Sequence, residues 1–485
     1  MDRNRPTDLR DARDVVRYDA EADVIVVGLG IAGSCAMMEA CDRGAEVLVL
    51  ERAGGGGGTS ANSGGLIYLG GGTPVQKATG FDDEPEEMFK FLVAASGPAA
   101  DEEKIRPYCD GSVELFHWLE AQGLPFKRSF YGEPGMESPT DDCLVFTGGE
   151  DAAPFDQIAR PAPRGHKPQV EGKAGPFFMQ KILEATGRRA ASLETDTLCE
   201  TLVVEVDGRV VGVVARTAGE ERVFRARRGV VLSAGGFSVN SEMVARHVPQ
   251  LEGCNPKNAT EGDDGRGIRM GQAAGGTTLR MDQAEVALPV TIPHRLGRGI
   301  FVNRLGQRFI NEDTYYGHIG VEALFGQDGE AWLLVDESSY EVNMVGMQPA
   351  FVGETIAELE EEAGFPPGAL QATVGLYNRF AERGQDPLFG KRASMVQPIT
   401  SAPFALLDAR KEHCFYACMT LGGLVTRPGG EVVNPDGEVI PGLYAAGRTT
   451  ALFTGRGYAG SGISLGDGAF FGRWAGRSAA SASPV

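Results

Sequence analysis

This chain of 485 residues lacks the features that mark membrane, secreted and metal-binding proteins. No apolar run approaches the length of a membrane span, and the charged N-terminal segment has no apolar signal core. The eight cysteines form no set at zinc-ligand spacing, because even Cys414 and Cys418 lie further apart than a CxxC pair. We therefore expect reduced, mostly structural thiols, no metal site and a cytoplasmic protein.

Positive charge is also scarce. The chain has 46 basic and 66 acidic residues, a formal net charge of -20, and no local cluster of lysine and arginine reverses this balance. Nucleic acids and anionic membranes attract basic surfaces, so we expect neither as a partner. With 42% apolar and 23% charged residues, the composition is that of an ordinary globular protein. A small, mostly neutral substrate is more compatible with this charge than a nucleic acid or an anionic membrane.

Glycine is abundant, and the first glycine-rich turn follows a short apolar strand. Residues 23–33 read DVIVVGLGIAG and contain Gly28, Gly30 and Gly33, and the next strand ends at Glu51. In a dinucleotide-binding βαβ unit, the first glycine permits a tight turn and the second lets the backbone approach a pyrophosphate. The third lets the helix pack on the strand, and an acidic residue ends the next strand to bind a ribose. This segment therefore predicts a dinucleotide site.

Two further glycine-rich zones, residues 54–72 and 442–468, favour FAD over a nicotinamide cofactor. A nicotinamide site needs little beyond one βαβ unit, whereas these zones extend over the whole chain. A helix that begins near Ser464 would direct its N-terminal amides at the flavin pyrimidine edge. Ser464 and Asp467 fit a helix capping box equally well. Residues 54–72 contain no histidine, so we expect one buried FAD without a histidyl link in these loops, bound non-covalently.

The length favours two domains, because one core rarely holds so long a chain. Residues 284–400 have their own set of predicted strands and helices, whereas residues 401–485 contain a strand and a helix that would complete the first domain. We predict an α/β protein with a Rossmann-type, glutathione-reductase-like FAD-binding domain built from residues 1–283 and 401–485. Residues 284–400 would form an inserted α+β capping and catalytic domain.

The motifs together resemble one flavoprotein family along nearly the whole chain. They are GLGIAG with Glu51, SGG at Ser63, SAGGF at Ser233, GDDGRGI at Gly262, PGLYAAGR at Pro441 and a C-terminal GSGISLGDG. This set is similar to the fumarate reductases and 3-ketosteroid dehydrogenases. The resemblance implies the following cofactor-binding residues: Gly28, Gly30, Ile31, Ala32, Gly33, Glu51, Arg52, Thr59, Ser60, Ser63, Gly64, Gly65, Ala234, Gly235, Asp264, Gly447, Arg448, Ser464 and Leu465.

The residues that would bind a dicarboxylate in the fumarate reductases of this family are absent. Tyr315, Tyr316 and Tyr458 stand where two arginines would lie, and Met419 stands at the position of a substrate-binding histidine. Arg456 is the one cation near these positions. Because a buried dicarboxylate needs fixed positive charge, the resemblance implies a substrate other than fumarate.

The steroid branch of the family has tyrosines at these places. The stretches GGLIYLGGGTPVQKATGFDD, NEDTY and TLGGL resemble the 3-ketosteroid Δ4-(5α)-dehydrogenases. This resemblance implies that Tyr315, Tyr458 and Ser461 form the catalytic set. It also implies that the Gly462 amide is a donor to the 3-keto oxygen. Gly460 departs from the Δ4 pattern, because it gives the turn after Tyr458 the spacing of Δ1 enzymes.

Dehydrogenation beside a ketone needs a donor to the carbonyl, a base for the α proton and an acceptor for the β hydrogen. Tyrosine hydroxyls can donate or relay protons without a permanent charge, and flavin N5 takes the hydride. We expect an FAD-dependent oxidation of a 5α-3-ketosteroid to the Δ4-3-ketosteroid, with electrons leaving to a separate acceptor. The alternatives are Δ1-dehydrogenation, reduction of another enone or enoate, and a flavin-holding binding or sensor protein without turnover.

Overall fold

The computed structural model describes residues 8–133, 137–289, 294–343 and 346–484. The strands are β1 (Arg10–Asp11), β2 (Ala20–Val27), β3 (Val47–Leu50), β4 (Ile67–Tyr68), β5 (Leu144–Val145), β6 (Gly165–His166), β7 (Ser192–Glu194), β8 (Thr197–Val204), β9 (Val210–Thr217), β10 (Glu220–Leu232), β11 (Thr278–Leu279), β12 (Ala284–Ala287), β13 (Ile300–Asn303), β14 (Ala331–Asp336), β15 (Pro349–Gly353), β16 (Phe404–Asp408), β17 (Ala417–Thr420), β18 (Gly423–Leu424), β19 (Glu431–Val433) and β20 (Val439–Ala445). The α-helices are α1 (Ile31–Asp42), α2 (Gly58–Asn62), α3 (Pro74–Ala78), α4 (Pro85–Ser96), α5 (Glu102–Asp110), α6 (Ser112–Gln122), α7 (Gly175–Thr186), α8 (Ser241–His247), α9 (Arg266–Ala273), α10 (Tyr316–Val321), α11 (Ile356–Glu362), α12 (Ala369–Ala381) and α13 (Ile463–Ser481).

The largest sheet is built around β2 and β3, whose apolar segments pair in parallel. The strand order is β1-β8-β9-β10-β2-β3-β7, and β20 pairs in parallel with the end of β10. The segments VIVV and VLVL are wholly buried, as expected of strands covered on both faces. Strands β8 and β9 form an antiparallel hairpin. Strand β20, from the final segment of the chain, belongs to the same sheet.

Helix α13 packs closely against α1, and this contact places its first turn. A Cβ at Gly472 would lie 2.5 Å from the Ala32 carbonyl oxygen, and one at Gly476 would lie 2.1 Å from that of Ala36. Only glycine allows the two backbones to approach so closely. A Cβ at Gly468 would also lie 2.8 Å from the Ile31 side chain. The N-terminal ends of the two helices therefore lie side by side.

The middle of the chain forms a second, antiparallel sheet with the order β13-β14-β16-β15. Helices α11 and α12 share a buried cluster with it that includes Leu359, Leu370, Leu334 and Leu406. Strand β12 pairs with β17 as a separate two-stranded ribbon. Both β16 and β17 lie after position 400, so they pair with strands on the other side of the predicted boundary. Local sequence does not reveal such pairing, because the partner strands are distant along the chain.

The predicted α/β class is confirmed, and the largest sheet mixes parallel and antiparallel strands. Within the described ranges, no helix combines the length and apolar character needed to cross a bilayer. The cytoplasmic location and the division into domains stay predictions.

Candidate active site

One cavity of about 830 Å³ connects the turn after β2 with Tyr316, the first residue of α10, and with Tyr458, which precedes α13. Ligand sites generally have volumes of about 300–1,000 Å³. Two residues predicted for the site, Gly33 and Tyr315, lie outside its lining. The other predicted residues line it: Gly28, Gly30, Ile31, Ala32, Glu51, Arg52, Thr59, Ser60, Ser63, Gly64, Gly65, Ala234, Gly235, Asp264, Gly447, Arg448, Tyr458, Ser461, Gly462, Ser464 and Leu465.

The β2–α1 turn forms one end of the cavity. Gly28 has φ +94°, and a Cβ at Gly33 would lie 1.9 Å from the Gly28 carbonyl oxygen, so both positions require glycine. A Cβ at Gly30 would make only ordinary contacts, the nearest with Ser60 Oγ at 3.5 Å. Gly33 therefore serves packing, whereas Gly30 leaves open space at the cavity wall.

Two acidic residues are held along the same end of the cavity. The Glu51 carboxylate accepts hydrogen bonds from the backbone amides of Leu29 at 2.7 Å and Ala53 at 2.9 Å. Asp264 forms an ion pair with Arg52 at 3.0 Å. These contacts fix both carboxylates at the wall, where the sequence predicts that Glu51 binds a ribose.

The first turn of α13 enters the cavity next to Tyr458. The helix begins at Ile463 with Gly462 as its N-cap, and no side chain caps it. The capping-box alternative for Ser464 is therefore wrong, because Ser464 already lies inside the helix. Its amide donates a 2.7 Å hydrogen bond to Tyr458 Oη, and its Oγ is buried without a partner in the described part of the chain.

A cluster of hydroxyl groups forms the other end of the cavity. Ser461 Oγ lies 3.2 Å from Tyr315 Oη and 2.5 Å from Tyr316 Oη. The two tyrosine rings are 4.4 Å apart, and Tyr316 faces the cavity while Tyr315 lies behind it. Burial raises the pKa of Tyr315, Tyr316 and Tyr458 above the usual value. These hydroxyls are therefore neutral at ordinary pH and can donate or relay protons.

A buried ion network holds the segment that carries the two tyrosines. Glu312 contacts Arg308 at 2.5 Å and Lys391 at 2.9 Å and accepts a 2.9 Å hydrogen bond from the Phe301 amide. Burial alone would raise the pKa of Glu312, but the charges of Arg308 and Lys391 hold it below its usual value. The network anchors residues 311–316 to the middle sheet through β13.

Sequence reasoning missed Glu285, which lines the cavity from β12. It lies opposite Met419 in the ribbon and is 6% exposed. Burial raises the pKa of Glu285 to about 7, although the positive charge of Arg448 lowers it. The available signal was a single acidic residue within the apolar stretch AEVALPV.

Tyr316 also lay outside the residue set predicted for catalysis. The resemblance favoured Tyr315, and the two are adjacent in sequence, so only their different positions around Ser461 separate them. Tyr316 reaches the cavity directly and makes the shorter of the two contacts with Ser461.

The cations around the hydroxyl cluster are neutralised or point elsewhere. Arg448 is ion-paired with Asp263 at 2.8 Å. Arg456, the cation singled out in the sequence, is exposed and does not line the cavity. Met419 lines it instead of a histidine. This end of the cavity thus presents hydroxyls, apolar atoms and carboxyl groups, because Glu285 and Glu137 both line the cavity and Glu137 acts on the pKa of Tyr316.

The nucleotide end of the cavity fits a large dinucleotide. The first residues of α1 and α13 both line it, so two helix N-termini can face bound phosphate or flavin. Gly30 leaves room for a close backbone approach. Ser464 Oγ and Arg266 Nε are buried at the wall and have no hydrogen-bond partner among the residues that the structure describes, although Arg266 Nε lies 3.8 Å from Asp264 Oδ2.

The Rossmann-type sheet, its glycine-rich turn and the connected cavity define a dinucleotide-binding oxidoreductase of the flavoprotein class. Residues 23–465 match the family described as FAD binding domain, and this chain belongs to that family. FAD is its cofactor, as the sequence predicts.

Comparison with known proteins places relatives on both the steroid and the fumarate branches. A crystal structure of 3-ketosteroid-Δ4-(5α)-dehydrogenase from Rhodococcus jostii, in complex with 4-androstene-3,17-dione, is 50% identical, covers 98% of this chain and 99% of that chain, and has a TM-score of 0.92. The 3-oxo-5-alpha-steroid 4-dehydrogenase of Comamonas testosteroni is 29% identical over 90% of this chain and 94% of its own length. A flavocytochrome c3 fumarate reductase in an open conformation is 26% identical, covers 96% and 78% of the two chains, and has a TM-score of 0.67. The predicted family resemblance is confirmed.

Proposed function

We propose that this protein oxidises 5α-saturated 3-ketosteroids between carbons 4 and 5, with bound FAD as the two-electron acceptor. The observation that carries the proposal is the neutral cluster of Tyr315, Tyr316, Tyr458 and Ser461 at one end of the FAD cavity. Full-length similarity to the Rhodococcus jostii enzyme supports the same reaction.

The contacts of Tyr458 favour a role as hydrogen-bond donor to the steroid ketone. Its oxygen accepts the Ser464 amide, so its own proton remains available to another acceptor. Gly462 lines the cavity beside it, and we propose that its amide donates to the same 3-keto oxygen. Two donors on a carbonyl oxygen stabilise the negative charge that develops when the α proton leaves.

We propose that Ser461 receives that α proton. Its Oγ lines the cavity and is hydrogen-bonded to both Tyr315 and Tyr316. A serine hydroxyl alone is a weak base, and a proton that it receives must be passed on as it arrives. The tyrosine pair supplies this path.

A dicarboxylate substrate fits this end of the cavity poorly. Glu285 would repel an anion, and the nearby Arg448 is already paired with Asp263. Binding a carboxylate there without a free cation would cost its desolvation energy. This argument supports a neutral ketone over fumarate.

Δ1-dehydrogenation is the second candidate, and Gly460 is the observation that favours it. A Cβ at Gly460 would lie 2.8 Å from the Tyr68 ring, so glycine lets the turn after Tyr458 pack against Tyr68. This extra residue gives the turn the spacing of Δ1 enzymes, and it can shift which ring carbon meets Ser461.

Anaerobic reduction of the bound flavin tests both candidates. We expect 5α-androstane-3,17-dione to bleach the flavin and to yield the 4-ene product first. The matched control is 4-androstene-3,17-dione, in which the bond between carbons 4 and 5 is already a double bond. It should leave the flavin oxidised. Bleaching by that control, or a 1-ene as the first product, would support Δ1 chemistry. Absence of bleaching by either steroid would favour a flavin-holding sensor.

A further inference from the structure

The turn that carries Ser461 and Gly462 is held by backbone hydrogen bonds to two distant segments of the chain. The Ser461 amide donates to the Thr147 carbonyl oxygen at 2.9 Å. The Tyr68 amide donates to the Gly462 carbonyl oxygen at 3.1 Å. The positions of these two neighbouring site residues therefore depend on Thr147 and on Tyr68.

The Glu150 side chain joins the two segments. Glu150 is 1% exposed. One of its carboxylate oxygens accepts the Tyr68 hydroxyl at 3.0 Å, and the other accepts the Gly148 amide at 2.8 Å. Because Gly148 directly follows Thr147 in the chain, the Glu150 carboxylate closes a ring of hydrogen bonds around the turn.

The loop of residues 147–150 is also in close contact with the neighbouring backbone. A Cβ at Gly148 would lie 2.6 Å from the Ala459 carbonyl oxygen, and a Cβ at Gly149 would lie 3.0 Å from the Tyr315 amide nitrogen. Interiors packed this closely transmit small displacements. A shift of the loop therefore moves both segments that carry the proposed catalytic hydroxyls.

The buried Glu150 carboxylate depends on its hydrogen bonds. Burial raises the pKa of Glu150 to about 7, although the charge of Arg164 lowers it. Arg164 is already ion-paired with Asp83 at 2.7 Å. Removal of the carboxylate would leave the Tyr68 hydroxyl and the Gly148 amide without these partners, and a buried polar group without a partner costs free energy. Both segments would then shift toward new partners.

The position of the turn bears on which steroid bond is oxidised. A 3-ketone has two α carbons, carbon 2 and carbon 4. In the proposed function Gly462 binds the ketone oxygen and Ser461 takes an α proton, so their placement selects one of these carbons. Glycine at position 460 gives the turn conformational freedom. The packing of Gly460 on the Tyr68 ring limits this freedom only while Tyr68 is itself held.

We propose that the Tyr68–Glu150 pair determines the regiochemistry of the enzyme by holding Ser461 at carbon 4 of the steroid rather than at carbon 2. This inference rests on the function proposed above. Neither Tyr68 nor Glu150 lines the cavity. They are therefore positioning residues, which act on the steroid through the turn.

The product of a single anaerobic turnover of the holoenzyme with 5α-androstane-3,17-dione tests the proposal. The wild type should form the 4-ene. Glu150→Ala should form the 4-ene up to about 10²-fold more slowly, the scale for a misplaced reacting group, and should also release the 1-ene. Glu150→Gln should restore the 4-ene product, because its amide oxygen can accept the Gly148 amide while its NH₂ group donates to Tyr68 Oη.

Glu360→Ala is the matched control for the loss of a buried carboxylate. Glu360 is 4% exposed, accepts the Leu370 amide at 2.8 Å and does not line the cavity. This variant should have a lower Tm than the wild type but the same product and rate. The proposal is overturned if Glu150→Ala forms only the 4-ene at the wild-type rate, or if Glu360→Ala releases the same share of 1-ene.

Tyr68→Phe provides a second test in case Glu150→Ala fails to fold. It removes the hydroxyl and keeps the ring that packs on Gly460, and it should also release the 1-ene. Wild-type product and rate in Tyr68→Phe would overturn the proposal. If the wild type releases the 1-ene first, or if no ketosteroid reduces its flavin, the proposed function fails together with this inference. A wild type that forms the 4-ene, with the same product from both variants, overturns the inference alone.

Discussion

Tyr458 is the proposed hydrogen-bond donor to the reacting ketone, because its oxygen accepts the Ser464 amide and its own proton remains available. We expect Tyr458→Phe to keep the flavin spectrum and to slow steroid-dependent flavin reduction by roughly 10²- to 10⁴-fold, the usual scale for a lost proton-transfer group. Stopped-flow absorbance measures this rate. Tyr377→Phe, a buried change in the middle unit, is the control and should leave the rate unchanged. Loss of FAD in Tyr458→Phe would instead assign the tyrosine to cofactor binding.

Tyr315 and Tyr316 are adjacent in sequence but should have separable roles. Tyr316 reaches the cavity and contacts Ser461 at 2.5 Å, whereas Tyr315 lies outside the cavity lining and contacts Ser461 at 3.2 Å. We expect both phenylalanine variants to slow flavin reduction, but only Tyr316→Phe, which changes a side chain at the cavity wall, to raise the steroid KM. Flavin reduction measured over a range of steroid concentrations makes the comparison. A raised KM in Tyr315→Phe alone would place Tyr315 in contact with the steroid instead.

Among the single residues of the site, those that belong to local motifs were predictable from the sequence. Tyr458, Ser461 and Gly462 lie within five positions of one another, and they line the cavity as expected. Glu285 was not predictable, because it reaches the same site from a strand far away in the sequence. The residues that surround Glu285 in the cavity come from other parts of the chain, and the local sequence around Glu285 does not show them.

The β2–α1 unit is the element on which FAD binding depends, and its glycines should fail in different ways. Gly30→Ala adds a Cβ that meets only Ser60 Oγ at 3.5 Å, so the variant should fold normally but lose FAD, because the methyl group occupies the space of the pyrophosphate. Gly33→Ala places a Cβ 1.9 Å from the Gly28 oxygen and should destabilise the protein by about 3 kcal/mol.

Flavin content after purification and thermal unfolding of the apoproteins separate these two effects. Gly375→Ala is the matched control, because no atom lies within 4 Å of the added Cβ. A yellow, fully loaded Gly30→Ala protein would contradict the assignment of Gly30 to the pyrophosphate.

Helix α13 illustrates why element boundaries are hard to predict from sequence. Ser464 and Asp467 satisfy the pattern of a capping box, yet the helix begins at Ile463 and Gly462 is its N-cap. Close packing of α13 on α1 at Gly472 and Gly476 determines where its first turn lies. Tertiary contact therefore decided the cap, and Ser464 became part of the cavity wall.

The charge distribution of the whole molecule favours a neutral substrate. We expect fumarate to reoxidise the steroid-reduced enzyme at no appreciable rate, because Glu285 faces the substrate end and Arg448 is paired with Asp263. Mixing the reduced enzyme with fumarate under anaerobic conditions and following flavin absorbance measures this. An artificial electron acceptor such as a phenazine serves as the positive control. Rapid reoxidation by fumarate would mean that a cation such as Arg456 reaches the site in solution.

The sequence by itself determined the class of fold, the glycine-rich FAD turn and a set of site residues, nearly all of which line the cavity. These features depend on short-range patterns: an apolar strand, glycines at fixed spacing and an acidic strand end. The tertiary structure alone decided that β14 pairs with β16, which tyrosine faces the cavity and that Glu285 lines the same cavity as Ser461. Those outcomes depend on contacts between residues far apart in the sequence, whose geometry arises only when the two sheets and helix α13 have packed together.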